Sequence, residues 1–245
     1  MDIKLSPRLE AIYSLVRNSE SLVDIGSDHG HLVIAALIRG KVEKALATDI
    51  NEAPLKSTRR SIARWDLEDR ISTQLCDGLT EVAQEYLQQV VMAGMGGITI
   101  RSLLTTASEL PAVMENCQRF VLQPMNHIAD LRMWLSQQGW TIEDEAIAKE
   151  KKHYYQVIAA KPGEVPYTLD WVSQQVGPCN ILRNDEDLYG LVRREISLRE
   201  SVLAYLRFMG RSLPEREVEL NTDIIAFQEY FQLSRSGGRS GKRIK

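Results

Sequence analysis

The sequence predicts an α/β protein with a doubly wound, mostly parallel sheet and a small second domain of helices. Three observations support this prediction. Short apolar runs alternate with helix-like segments in the first half of the chain, a pattern that implies right-handed crossovers between parallel strands. Two adjacent strand-like runs follow without an intervening helix. After them, only helical periodicity remains.

The composition is that of an ordinary globular protein. Of 245 residues, 44% are hydrophobic and 26% are charged, which suffices for a core and excludes collagen, disulfide scaffolds and wholesale disorder. The cysteines, Cys76, Cys117 and Cys179, are odd in number and scattered, as in proteins of a reducing cytosol. The apolar runs are too short to cross a membrane, and Met1 opens no signal segment. We therefore expect a cytoplasmic protein without a membrane partner.

The elements of the first domain can be assigned in order. Residues 6–17 predict an opening helix, because apolar residues recur at helical spacing behind Ser6 and Pro7, a plausible cap and first helical residue. Buried strands are predicted at 22–25, 45–48, 71–75, 90–93 and 120–122, and helices near 31–39, 52–64, 81–88, 98–107 and 127–138.

The pattern changes after Gly139. Runs 140–148 and 154–160 are strand-like, and the charged stretch 149–153 between them has no room for a helix, so they predict an antiparallel hairpin. Parallel strands closed by such a hairpin are the usual layout of class I S-adenosylmethionine-dependent methyltransferases, whereas dehydrogenases have an all-parallel sheet. We expect this Rossmann-like domain to span 1–162.

A helical domain is predicted over 163–233. Breakers at Pro162, Gly163 and Pro166 mark its start. Two apolar stripes on either side of Pro214 predict an antiparallel helical hairpin that resembles a coiled coil. The stripes consist of Leu188, Val192, Ile196, Leu203 and Leu206, and of Leu220, Ile224, Phe227 and Phe231.

The last twelve residues, 234–245, form a basic tail. They contain five Lys or Arg residues and no acid, so the rest of the chain has 25 basic against 33 acidic residues. Their Ser and Gly content predicts a flexible arm, which either contacts phosphate or only aids solubility.

The end of the first strand predicts a cofactor site. Asp24, Gly26, Ser27, Asp28 and His29 stand where open parallel sheets bind their ligands. A nicotinamide dinucleotide site would have a second glycine at the position of Asp28, because a carboxylate repels pyrophosphate. The same carboxylate attracts a sulfonium or an amino group, although it could equally be a helix N-cap.

Two further strand ends carry acids. Asp49, followed by Ile50 and Asn51, comes 23 residues after the first glycine of the turn, about where nucleoside cofactor sites hold a ribose diol. Asp77 and Gly78 follow the third strand, where methyltransferases commonly hold the adenine amino group. An Asx turn would explain that pair as well.

The fourth strand ends in an unusual glycine cluster. Ala93, Gly94, Met95, Gly96 and Gly97 stand where substrate and methyl donor should meet. The glycines favour a close approach of the backbone to a ligand over a mere tight turn. No metal site is expected, because the histidines lack further ligands at suitable spacing.

The chain resembles the bacterial TrmK-type tRNA (adenine-22-N1)-methyltransferases over about 5–160. The resemblance implies a Rossmann-like methyltransferase domain, a C-terminal helical coiled coil, S-adenosylmethionine as methyl donor and tRNA as acceptor. Departures at Gly30 and His31, and a poor match in the helical domain, indicate a divergent member. The matching pieces are 5–9, Asp24 to His29, Asn51 with Glu52, Pro54 with Leu55, 69–71, 77–79, Ala93 to Gly97, 122–124, Leu131 with Arg132, and Trp134 with Leu135.

Roles for the site residues accompany this resemblance. Asp28 and His29 are expected to orient donor or base, Met95 with its flanking glycines to shape the transfer pocket, and Gln123 to border the acceptor. No catalytic base is required, because N1 of neutral adenine has a free lone pair. The residues expected to bind the cofactor are Asp24, Gly26, Ser27, Asp28, His29, Asp49, Ile50, Asn51, Asp77, Gly78, Ala93, Gly94, Met95 and Gly96.

Two alternative functions stay open at this point. One is a methyltransferase with a small-molecule or protein acceptor, and the other is a non-catalytic RNA-binding protein on the same scaffold. Nothing in the sequence sets an oligomeric state, and a monomer is compatible with it. Positive charges expected to bind tRNA are the basic tail and Arg8, Arg59, Arg60, Arg64, Arg101, Arg132, Arg193 and Arg194.

Overall fold

A single seven-stranded sheet forms the centre of the molecule. The computed structural model describes residues 3–209 and 213–233. Its strands are β1 (Ser19–Ile25), β2 (Val42–Asp49), β3 (Ile71–Leu75), β4 (Gln89–Met95), β5 (Arg119–Pro124), β6 (Thr141–Glu150) and β7 (His153–Lys161). Their order across the sheet is β3-β2-β1-β4-β5-β7-β6. Strands β1 to β5 are parallel, whereas β7 is antiparallel to both β5 and β6, as the sequence predicts.

Helices cover both faces of the sheet. On one face, Ile12 and Ile34 pack with strand residues such as Val91. On the other face, Ile100 and Leu131 pack against Val90 and its neighbours. The helices are α1 (Pro7–Leu15), α2 (His31–Ile38), α3 (Glu52–Arg64), α4 (Gly97–Ser108), α5 (Pro111–Asn116), α6 (Ile128–Gln137), α7 (Trp171–Val176), α8 (Pro178–Arg183), α9 (Glu186–Phe208) and α10 (Pro214–Tyr230).

The two longest helices, α9 and α10, pack along each other. Leu203 and Leu206 lie against Leu220 and Ile224, so both predicted stripes contribute to this contact. The helices are antiparallel: Leu203 and Leu206 of α9 lie with Leu220, Arg199 pairs with Asp223, and Val192 lies with Phe227, so positions rise along α10 as they fall along α9. The sequence interpretation missed the short α7 and α8, and the predicted basic tail lies outside the described residues. The proposed division of the chain after residue 162 stays a prediction.

One predicted helix of the first domain is wrong, and one helix is missing from the prediction. The segment 81–88 is predicted to be a helix, but it contains only the single 3-10 turn Gln84–Tyr86. Val82 and Leu87 are buried in the core from an irregular connection, so their burial does not require a helix. The short helix α5, which begins at Pro111, is not predicted by the sequence pattern.

Arg132 is expected from the sequence to contact tRNA, and the structure contradicts this. Its side chain is completely buried in α6, where Nε donates to Oε1 of Glu145 at 2.7 Å. The guanidinium also donates to the carbonyl oxygens of Gln174 and Gln175 and to Oε1 of Gln156. The other Glu145 oxygen accepts the backbone N–H of Cys179. Arg132 therefore joins α6 and the β6–β7 hairpin to α7 and α8.

Three properties of residues 3–209 and 213–233 bear on function. None of their helices is long and apolar enough to span a membrane. They contain no group of three or more His, Cys, Asp or Glu side chains that could hold a metal ion. Cys76, Cys117 and Cys179 are all free thiols.

Candidate active site

A cavity of about 450 Å³ opens at the carboxyl edge of the sheet. In parallel α/β sheets, ligands bind at this edge. A somewhat larger depression, about 500 Å³, lies at the opposite edge near Ser19 and Val42, and is more open. The carboxyl-edge cavity is therefore the candidate site. Its lining consists of Ser6, Arg8, Leu9, Asp24, Gly26, Asp28, His29, His31, Leu32, Ala93, Gly94, Met125, Glu150 and Tyr155.

The turn after β1 is held against the end of β2. The backbone N–H groups of Gly26 and Ser27 both donate to the carbonyl oxygen of Thr48, at 2.9 and 2.8 Å. This fixes the turn next to the cavity. A Cβ at Gly26 would lie 3.2 Å from Cε of Met95, so the turn also packs closely against the end of β4.

Asp24 is a buried acid at the cavity wall. Its side chain is only 7% exposed. Burial raises the pKa of the Asp24 carboxyl from 3.8 to about 6, against a smaller lowering by the Ser27 hydroxyl. The charged form is costly here without a cationic partner, so the site favours a ligand with positive charge.

Asp28 and His29 lie at the mouth of the cavity. The Asp28 side chain is 74% exposed, and its Oδ1 lies 3.4 Å from Nε2 of His29. Nδ1 of His29 is hydrogen-bonded to the Ser57 hydroxyl at 2.6 Å. The alternative that Asp28 caps a helix does not hold, because Gly30 is the N-cap of α2 and no side chain caps it.

Gly30 permits the close approach of α3 to this turn. Its φ is +68°, and a Cβ would lie 2.9 Å from Cγ2 of Thr58. A side chain at this position would therefore push α3 away from the turn that carries Asp28 and His29.

The glycine cluster at the end of β4 bends the chain toward Gln123. Gly94 has φ +78° and lies at a β-bulge between Ala93 and Met95. Its N–H donates to Oε1 of Gln123 at 3.2 Å, and Nη1 of Arg8 donates to the same oxygen at 2.9 Å. One amide oxygen thus holds both the bulge and the arginine in place.

Gln123 has no contact with solvent. Its side chain is fully buried, and Nε2 donates to the carbonyl oxygen of Pro124 at 2.9 Å. Nε2 also lies 3.6 Å from Sδ of Met125, so this buried amide can act on a substrate only through Arg8, Gly94 and Met125. We therefore propose a positioning role for Gln123 in place of the expected border with the acceptor.

Six of the fifteen residues expected in the site line the cavity: Asp24, Gly26, Asp28, His29, Ala93 and Gly94. The other nine lie outside its lining: Ser27, Asp49, Ile50, Asn51, Asp77, Gly78, Met95, Gly96 and Gln123. Oδ1 of Asp49 accepts the N–H of Asn51 at 2.7 Å, and Ile50 is 65% exposed beside them. Asp77 is exposed after β3. The ends of β2 and β3 therefore continue the edge on which the cavity lies.

Eight residues of the cavity wall are not among those expected in the site: Ser6, Arg8, Leu9, His31, Leu32, Met125, Glu150 and Tyr155. Four of them offer polar, aromatic or thioether groups from elements outside the β1 turn, namely Arg8 of α1, Met125 after β5, and Glu150 and Tyr155 of the terminal hairpin. The Arg8 guanidinium lies 5.7 Å from the centre of the Tyr155 ring. The sequence suggests Arg8 only as a tRNA contact. In the sequence, the hairpin residues are marked only by a charged stretch between two strands. Such a stretch indicates a loop that connects the strands and does not indicate a binding site.

Comparison with known proteins shows the family to which the chain belongs. Residues 5–158 match a family described as a methyltransferase domain. A Bacillus subtilis protein named tRNA (adenine(22)-N(1))-methyltransferase is 30% identical over 176 residues, which cover 72% of this chain and 73% of that protein. The chain belongs to the tRNA (adenine-22-N1)-methyltransferase family.

Solved structures resemble this methyltransferase over nearly the whole chain. The B. subtilis m1A22 tRNA methyltransferase TrmK has a TM-score of 0.78 and 25% identity, with 93% of this chain and 99% of that chain covered. TrmK of M. capricolum, solved with S-adenosyl-homocysteine, has a TM-score of 0.77 and 26% identity, covering 94% and 99%. A Streptococcus pneumoniae protein solved with S-adenosyl-L-methionine has a TM-score of 0.77 and 28% identity, covering 94% and 100%.

Proposed function

We propose that this methyltransferase transfers a methyl group from S-adenosylmethionine to N1 of adenine 22 in tRNA. The observation that carries the proposal is the cavity at the carboxyl edge, with acids on its β1 side and an aromatic wall on its hairpin side. Membership of the tRNA (adenine-22-N1)-methyltransferase family supports the same reaction.

The acids fit the chemistry of the donor. S-adenosylmethionine, when bound, supplies a methyl group activated by a cationic sulfonium. Asp24 and Asp28 offer negative charge next to a turn without a side chain at Gly26, which suits a cationic amino acid moiety and disfavours a pyrophosphate. We propose that Asp49 with Ile50 holds the ribose and that Asp77 holds the adenine, with the turn at Gly26 to His29 against the amino acid end.

The chain needs to align the acceptor but not to deprotonate it. The lone pair on adenine N1 forms the new N–C bond, the C–S bond breaks with its electron pair left on sulfur, and the positive charge passes to the adenine. Alignment and exclusion of water are thus the main tasks of the protein. The Gly94 bulge, held by Gln123, fixes one wall for this purpose. The base must first leave its stack in the tRNA.

Exposed cations on the hairpin and on two helices are candidates for contact with the tRNA backbone. Lys151 and Lys152 are exposed in the turn of the β6–β7 hairpin, next to the cavity residue Glu150. Arg60 and Arg101 are exposed on α3 and α4. We propose that these residues bind phosphates. We also propose that the enzyme acts in the cytoplasm, a location that its free thiols support.

The direct test is methyl transfer from labelled S-adenosylmethionine to unmodified tRNA transcripts, followed by nucleoside analysis. We expect label in 1-methyladenosine, and none in a transcript with guanine in place of adenine 22. Donor binding without transfer to RNA would point to a different acceptor. Absence of donor binding would favour a non-catalytic RNA-binding protein.

A further inference from the structure

The cavity has two halves, which follow from the order of the strands. Asp24 and Gly26 lie at the end of β1, whereas Met125 follows β5 and Tyr155 lies in β7. Strand β4, with Ala93 and Gly94, separates β1 from β5. If the donor occupies the β1 half, which the proposed function requires, the acceptor base must enter the half formed by β5 and the hairpin.

Glu150 is the one acid in the lining of this second half. It ends β6 and pairs with His153, the first residue of β7, at the carboxyl edge of the sheet. Within residues 3–209 and 213–233, no side chain forms an ion pair with its carboxylate, although Lys149, Lys151 and Lys152 are its neighbours in sequence. Its carboxylate oxygens are therefore available to a ligand in the cavity.

Tyr155 gives this half of the cavity an aromatic wall. Its side chain is half-buried on β7, with the His153 ring 6.3 Å away and the Arg8 guanidinium 5.7 Å from its ring centre. Arg8 is in turn held by the buried Gln123. An aromatic ring fixed in this way is a suitable surface for stacking an unpaired base.

We propose that Glu150 recognises the acceptor adenine through its exocyclic N6 amino group, and that Tyr155 is the ring on which the base stacks. This inference rests on the proposed function. Adenine presents a donor, the N6 amino group, directly beside the acceptor nitrogen N1. A carboxylate accepts from the amino group, whereas it would repel a carbonyl oxygen at the same position, so Glu150 selects adenine over guanine.

The same contact assists the reaction. Methylation at N1 places a positive charge on the base without loss of a proton, and this charge makes the amino group a stronger donor. The hydrogen bond to Glu150 is therefore stronger in the transition state than in the bound substrate, which is the condition for acceleration.

The test combines Glu150→Gln with a tRNA that has purine in place of the target adenine. Purine lacks the N6 amino group but retains N1. On adenine-containing tRNA, we expect Glu150→Gln to lower the single-turnover rate roughly 10- to 100-fold, with donor affinity unchanged. On purine-containing tRNA, we expect wild type and variant to react at nearly equal rates. The lower intrinsic reactivity of purine affects both proteins and cancels in this comparison.

Equal losses on both tRNAs, or no loss on either, would overturn the role of Glu150. If wild type itself transfers no methyl group to adenine-containing tRNA, the proposed function fails instead. Glu109→Gln, an exposed acid after α4, serves as the matched control and should leave both rates unchanged. Glu150→Asp, which keeps the charge but shortens the side chain, provides a second variant if Glu150→Gln does not fold.

Tyr155 is tested by a pair of variants. Tyr155→Leu removes the ring and should weaken tRNA binding roughly five- to hundredfold. Tyr155→Phe keeps the ring and should bind like wild type. Equal affinities of the two variants would contradict stacking.

Discussion

At the scale of single residues, the geometry of the site depends on contacts among Gly94, Arg8 and Gln123. The Gly94 bulge has φ +78°, and a Cβ there would lie 3.2 Å from Nη1 of Arg8. Its N–H and Arg8 share one oxygen of Gln123. A change at any of these three residues therefore disturbs the other two.

Gly94→Ala is expected to abolish most methyl transfer and to lower the free energy of unfolding by about 1–2 kcal/mol, because an L-residue is strained at this φ. Gly40→Ala is a matched control, since Gly40 has φ +71° but a Cβ added there would meet no atom within 4 Å. It should lose similar stability and retain activity. Urea unfolding and transfer assays measure both effects, and equal activities of the two variants would contradict this role for Gly94.

Asp24 makes the stability of the enzyme depend on pH. Its pKa is 3.8 ordinarily and about 6 in the folded protein. Between these values the folded state binds more protons than the unfolded chain, so the free energy of unfolding decreases as the pH rises from about 4 to 6. The loss is complete about one pH unit above the folded pKa and amounts to about 3 kcal/mol.

Asp24→Asn removes this penalty. We compare the free energy of unfolding of the variant with that of wild type at each pH. From pH 4 to pH 7.5, this difference should shift in favour of the variant by up to about 3 kcal/mol. Urea unfolding of both proteins at several pH values measures this change, and a difference that does not vary with pH would disprove it. Donor affinity should decrease in the variant, because the negative charge is lost.

At the scale of elements, a buried ion pair connects the sheet to the C-terminal helices. Arg132 and Glu145 are both fully buried, and their other polar atoms are bonded to α7, α8 and β7. Such an ion pair adds little to the stability of the fold compared with an apolar pair of similar size. Removal of one partner is nevertheless costly, because it leaves an unpaired charge in the interior.

Arg132→Met should therefore destabilise the protein by about 3–5 kcal/mol. Arg216→Met, which removes the exposed pair with Glu219 on α10, should change the stability by about 1 kcal/mol or less. The double variant Arg132→Met, Glu145→Met should regain part of the loss. Thermal unfolding of the variants gives the comparison, and a neutral Arg132→Met would refute the role of the pair.

The individual elements also show which parts of the structure could be predicted from the sequence and which could not. The parallel strands follow from short continuous apolar runs, because the central strands are buried on both faces. The α9–α10 pair follows from helical periodicity, because each helix buries a regular stripe. The segment 81–88 mimics a helix, since Val82 and Leu87 are buried from an irregular connection. The motifs at Asp24 and Gly94 can be found from the sequence, because each lies at the end of a predicted strand. The roles of Glu150 and Tyr155 cannot be predicted from local sequence motifs, because only the pairing of distant strands brings these residues to the cavity.

At the scale of the whole molecule, charge is distributed unevenly. The chain has a formal charge of -3, yet its first 233 residues contain 25 basic and 33 acidic residues. Binding of a polyanion must therefore use local groups of cations. The basic tail holds five of the thirty Lys and Arg residues, and Arg132, also expected to contribute, is buried.

Deletion of 234–245 should make tRNA affinity less sensitive to salt. Each lost phosphate contact reduces the slope of log affinity against log salt by roughly 0.7–0.9. A tail of equal length with Ser in place of its basic residues should act like the deletion, and a shuffled tail like wild type. Filter binding at several salt concentrations measures the slope, and an unchanged slope would exclude the tail from tRNA binding.

Alternate residues of the β6–β7 hairpin point to opposite faces of the sheet and therefore have different packing partners. Glu145, Ile147, Tyr154 and Gln156 face the C-terminal helices, whereas Ala146, Glu150 and Tyr155 face α1 and the cavity. Substitutions in the C-terminal helices can therefore be accommodated by one set of alternate residues, while the set that lines the cavity keeps its position.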